Sequence, residues 1–224
     1  MAEQQPGPRG IGTTQMNPRR SRWRLHLEHL HATDADSLRR AERLAVSVAS
    51  VAKEIELRRH TDADEDVLTA AGVAAALAIG ARLRGGYDLA VSTGAQRATQ
   101  TLACFLAALG QEVEGGVVVE PGLRSTVEDR WRAAYQKAGS STLDALREAD
   151  PELVADDSQR LGAALRLVLD RLPGRSGRAL VVGHSPTNEA AVLGLSGEVV
   201  PPLGKGAGVL VAARGDRYQV ELLE

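Results

Sequence analysis

Three short segments, far apart in the chain, each end an apolar run on arginine or histidine: Leu57-Arg58-Arg59-His60-Thr61, Ser92-Thr93-Gly94-Ala95-Gln96-Arg97 and Val182-Gly183-His184-Ser185-Pro186. The runs themselves, Glu54 to Leu57, Leu89 to Val91 and Ala179 to Val182, have strand composition, and each is followed by a turn and a helical pattern. Alternation of that kind predicts an α/β fold, a three-layer α/β/α sandwich with a mostly parallel central sheet. In such a sheet, groups at the carboxyl ends of neighbouring strands converge on one crevice. Arg59, Arg97, His60 and His184 are therefore expected to line a common cationic cavity suited to a phosphoryl group.

The periodicities fill in the rest. They predict helices over 69–84, 95–109, 157–172 and 187–195, with Gly110 closing the second, and strands over 87–92, 113–119 and 178–183. A hairpin over 208–213 and 217–222 turns at Gly215-Asp216. Residues 121–156 are the least regular, with helical patches at 129–137 and 142–148, and the stretch of about 111–156 reads as an insertion over the site. The catalytic domain is expected over 53–224.

Before it, residues 1–22 show neither period and carry Gln, Pro, Gly and Arg, which reads as a disordered tail. An N-terminal helical extension follows over 23–52, with Thr33 as N-cap and Asp34 and Asp36 in its first turn. His26, His29 and His31 cluster there. With no cysteine and only Glu28 as a neighbouring carboxylate, the cluster does not read as a metal site. The 29 acidic against 27 basic residues, a net charge of −2, argue against nucleic acid and against an anionic membrane as partners. A single Cys104, no long apolar span and no apolar secretion signal make the cytoplasm the expected compartment.

Neutral imidazole attacks phosphorus competently, and the N-linked phosphoryl group it forms is labile to water, so a two-step displacement without metal or cofactor is feasible. His60, following the first strand beside Arg59, is the nucleophile candidate. Arg59 and Arg97 would meet the phosphoryl oxygens bidentately, with His184 opposite.

The three segments resemble the motifs of the histidine phosphatase superfamily, the phosphoglycerate-mutase-like fold. Its Arg-His-Gly is similar to Arg59-His60-Thr61, and its Leu-Thr-x-x-Gly to Leu68-Thr69-Ala70-Ala71-Gly72. Its Ser-Ser/Thr-Pro-x-x-Arg-Ala-x-Gln-Thr is similar to Ser92 through Thr101, and its Val-Gly-His-x-Pro to Val182 through Pro186. The resemblance implies that His60 becomes the phosphohistidine and that Arg59, Arg97 and His184 complete the phosphate pocket.

Departures bear on mechanism. Thr61 replaces Gly, and its hydroxyl is expected to add a phosphate contact. Gly94 replaces Pro. Ser125 takes the position where the mutase branch has a Glu as general acid, which leaves Glu128 as the expected substitute, ahead of Glu120, Asp129, Asp62 and Asp64. The expected function is a metal-independent phosphomonoester hydrolase acting on a small phosphorylated metabolite. The alternatives are a phosphohistidine protein phosphatase, a non-catalytic sensor of a phosphorylated ligand, and a homodimer built by pairing the 24–52 segments.

Overall fold

The structure, a computed structural model, describes residues 52–224. The expected tail, nearly all of the helical extension and the His26, His29, His31 cluster lie outside the described residues.

The first strand, β1 (Lys53–Arg59), is followed by a small hairpin, β2 (Ala63–Asp64) and β3 (Val67–Leu68), and by helix α1 (Ala70–Gly80). Next come β4 (Leu89–Ser92), α2 (Gln96–Leu109) and β5 (Val117–Val119). A 3-10 turn at Pro121–Leu123 leads into α3 (Glu128–Ala138), α4 (Leu143–Ala149) and α5 (Pro151–Arg171). The chain ends with β6 (Arg178–Gly183), α6 (Thr187–Ser196), β7 (Gly208–Arg214) and β8 (Arg217–Leu223). Six strands form one sheet in the order β5-β4-β6-β1-β7-β8. The first four are mutually parallel, and the β7–β8 hairpin adds two antiparallel strands beside β1.

The sequence of β6, Arg-Ala-Leu-Val-Val-Gly, is apolar on both sides because both faces of a central parallel strand are covered. Ala179 and Val181 face α5 and α6 with Ile55, Leu57 and Val91. Leu180 and Val182 face α1 and α2 with Ala90, Leu102 and Phe105. The helices thus lie on both sides of the sheet, as the alternating pattern predicted.

Small residues let the layers approach. A Cβ on Gly194 of α6 would overlap the carbonyl oxygen of Ser158 on α5, and one on Gly162 would press on the Gly194 backbone. These two helices therefore pack backbone to backbone.

The expected elements differ from the observed ones in two places that have physical causes. Helix α5 starts at Pro151 rather than near 157, because Asp150 caps it by accepting from Leu153 N at 3.1 Å and Pro151 occupies the first turn. The strand expected over 113–119 shrinks to Val117–Val119, since Gly116 turns the chain at φ 71°.

One face of β1 is polar yet buried. Glu56 accepts from Tyr87 Oη at 2.5 Å, Arg58 Nε at 2.7 Å and an Arg178 guanidinium nitrogen at 3.0 Å. Three donors satisfy a carboxylate that would be costly to bury alone. Beside it, burial and the neighbouring carboxylate push the Tyr87 hydroxyl pKa far up, so it stays a donor.

Candidate active site

Parallel pairing brings the three segments together. Arg59 lies opposite Gly183, and Ser92 opposite Val182, so residues 60, 93 and 184 leave the sheet side by side. His60 N donates to Gly183 O at 3.0 Å, and Thr93 Oγ1 lies 2.9 Å from His184 Nε2. The His60 and His184 rings sit 5.2 Å apart between centroids.

His60 Nδ1 lies 2.7 Å from the Thr61 carbonyl oxygen. A carbonyl only accepts, so Nδ1 carries the proton of the neutral ring and Nε2 keeps its lone pair. Burial lowers the His60 pKa below 6.5, with Arg97, Arg59 and Lys205 pushing the same way against the Thr61 carbonyl. The His184 pKa falls to about 3, first through burial and then through Arg97 and His60. Both imidazoles are therefore neutral at pH 7, and His60 is competent as a nucleophile.

Arg58 and Arg59 leave opposite faces of β1, and both grip the loop before β7. Arg58 donates to Gly206 O at 2.9 Å and Arg59 to Leu203 O at 2.8 Å. The Arg59 Nε is buried and has no hydrogen-bond partner among the described residues. Leu203 N donates in turn to Glu189 Oε1 at 2.7 Å, which also accepts from Ser185 Oγ at 2.5 Å. Burial raises the pKa of this carboxyl against those hydrogen bonds and the nearby Arg59 charge. Asn188 Oδ1 accepts from His184 N at 3.1 Å and fixes the turn into α6.

A cleft of about 470 Å³ is lined by Arg59, Arg97 and His184 together with Arg124, Ser125 and Glu128, whereas His60, expected in the same wall, lies beside His184 and outside that lining. Trp131 and Tyr135, from the segment expected to be an insertion, line it too. Glu128 reaches the cleft but pairs with Arg124 at 2.6 Å. Ser125 Oγ accepts from Val127 N at 3.1 Å.

Thr61 does not reach the cleft. It is almost wholly buried, with its N–H and its hydroxyl 3.2 and 3.3 Å from Thr101 Oγ1, so its role in the structure is to tie the first segment to α2. The expected phosphate contact from its hydroxyl gives way to that tie. Sequence reasoning also passed over Glu189, Asn188, Asp66 and Lys205. The first three sit within six residues of the motif histidines, which was the available signal. Lys205, which pairs with Asp62, comes from a distant loop and gave none.

No helix among the described residues is long and apolar enough to cross a membrane, and none of their His, Cys, Asp and Glu side chains cluster as a metal site.

The phosphoglycerate mutase of Bacillus anthracis superposes with a TM-score of 0.60 at 18% identity, over 79% of this chain and 95% of that one. The phosphoserine phosphatase of Entamoeba histolytica, solved with 3-phosphoglyceric acid, gives 0.58 at 15% identity over 77% and 97%. A mycobacterial glucosyl-3-phosphoglycerate phosphatase gives 0.53 at 14% over 76% and 98%. These likenesses establish the fold. No curated protein matches the sequence. The sequence model of the histidine phosphatase superfamily, branch 1, matches residues 48–201, and the chain belongs to that family.

Proposed function

We propose that the protein is a metal-independent phosphomonoester hydrolase that works through a phosphohistidine on His60 and acts on a small phosphorylated metabolite. The observation that carries this reading is the Nδ1–H···O=C contact from His60 to Thr61, which leaves Nε2 of a neutral ring with its lone pair beside His184, a wall of the cleft that Arg59 and Arg97 also line. In the first step Nε2 forms a bond to phosphorus as the P–O ester bond breaks, and the leaving oxygen takes a proton from water. In the second, water adds to phosphorus, the P–N bond breaks and inorganic phosphate leaves. The guanidinium groups balance the charge on the phosphoryl oxygens in both steps.

Protonation of the leaving group favours a second reading. Ser125 holds the position of a carboxylic acid in the mutase branch, and Glu128 is engaged by Arg124. A phosphorylated imidazole on a protein needs little help to leave, so a phosphohistidine protein is the alternative substrate. Phosphate release from a panel of phosphomonoesters and from a phosphohistidine protein, with EDTA present and with His60→Ala alongside, tests both. Turnover by the wild type alone supports hydrolysis at His60, and the better substrate class decides between the readings. Binding of phosphate esters by both proteins, with turnover by neither, points to a sensor.

A further inference from the structure

The second motif segment already holds an anion, and the chain itself supplies it. Asp66 occupies the two-residue turn Glu65-Asp66 between β2 and β3, where Glu65 takes a left-handed backbone at φ 49°. Its Oδ2 accepts from Gln96 N at 3.0 Å. Its Oδ1 accepts from the Arg97 guanidinium at 2.9 Å and from Arg97 N at 3.4 Å. Helix α2 lacks a side-chain cap of its own, because Ala95 stands at the N-cap position, so Asp66 caps it from across the hairpin.

These donors, a guanidinium and the first amides of a helix, are what a phosphoryl group in this pocket would engage. Asp66 is partly exposed, its side chain 44% accessible, and its charge acts on His184 and Arg124, both of which line the cleft. Burial alone would raise the pKa of this carboxyl, but the Gln96 and Arg97 donors outweigh burial and keep it ionised.

We propose that Asp66 is the resident anion of the phosphate site: its carboxylate, paired with Arg97, competes with the phosphoryl group for that guanidinium. Affinity for the substrate phosphoryl group, and release of inorganic phosphate as product, are then set by an internal competition. This inference rests on the reading of the pocket as a phosphate site.

Titration calorimetry with inorganic phosphate, in EDTA, on the full chain and on Asp66→Asn and Arg97→Ala tests it. Asn keeps an oxygen acceptor for the helix amides and removes the charge, and Asp66→Ser does the same if Asp66→Asn fails to fold by circular dichroism. The expected result is phosphate binding tightened about two- to fivefold in Asp66→Asn, the scale of a partly exposed ion pair, and weakened in Arg97→Ala. Equal or weaker binding by Asp66→Asn, with wild-type binding still dependent on Arg97, overturns the proposal and makes Asp66 a helix cap only. Phosphate binding that Arg97→Ala leaves unchanged, or binding by neither wild type nor Asp66→Asn, overturns the phosphate-site reading and the proposal with it.

Discussion

His60 and His184 face each other with ring centroids 5.2 Å apart and planes inclined by 58°. Two imidazolium ions at that separation, beside Arg59 and Arg97, would repel strongly, and burial disfavours each charge as well. The pocket therefore draws its positive charge from guanidinium groups and keeps its imidazoles neutral. That division suits a nucleophile that must present a lone pair to an anion.

The pH profile of hydrolysis follows from it. In the proposed hydrolysis the reactive form of His60 is the neutral one, and its pKa lies below 6.5, so the rate is expected to stay high through pH 6.5 and to fall only as pH drops through the lowered value. Lys205 is one of the charges that lower it, so Lys205→Ala moves the acid limb upward. Measuring kcat/KM from pH 4 to 8 checks both statements, and an acid limb above pH 6.5 in the wild type contradicts them.

Folding stability carries a related signature. An unfolded His184 takes up a proton near 6.5, while the folded one resists until about 3, so its stabilising effect is complete above pH 6.5 and is lost as pH falls toward 3. The slope from one such group is at most about 1.4 kcal/mol per pH unit. Asp62, Asp66 and Asp150 have carboxyls held below 3.8, and their contribution is lost only further down. Urea unfolding at pH 7, 5.5 and 4.5 should show the decline in the wild type and a shallower one in His184→Gln.

The buried Glu56 cluster gives an asymmetric pair of variants. Tyr87→Phe removes one hydrogen bond and leaves Arg58 and Arg178 on the carboxylate, at a cost of about 1–2 kcal/mol. Glu56→Ala takes the paired carboxylate from buried Arg58 and one of the two that Arg178 holds, and costs about 3–5 kcal/mol. Denaturant midpoints at pH 7 measure the difference, and equal effects of the two changes contradict the network.

Gly194→Ala tests the α5–α6 contact. The added methyl would overlap the Ser158 carbonyl, a backbone atom that cannot swing away, so the helices must separate at a cost of roughly 2 kcal/mol or more. A lowered melting temperature is expected, whereas an unchanged one shows that the helices adjust freely.

The α/β order was legible in the chain because it is local, and so was the convergence of the three motif segments. Apolar runs of strand length that stop before His60, Thr93 and His184 state where strands end, and parallel pairing then fixes which ends meet. The start of α5 was legible too, in Asp150-Pro151-Glu152, although periodicity alone placed it later. What the sequence left open belongs to partners distant along the chain. Thr61 reads as a phosphate ligand until Thr101, 40 residues on, claims its hydroxyl and its N–H. Glu128 is the exception, since Arg124, which takes it, stands only four residues before it. Asp66 is one acid in a run of acids until the β2–β3 turn sets it against the first amides of α2. By itself the sequence determined which elements form and which residues end them, since propensity, periodicity and capping act over a few residues. Only the tertiary structure decided which polar groups satisfy one another, because a buried donor or acceptor takes whatever partner the packing brings within about 3 Å.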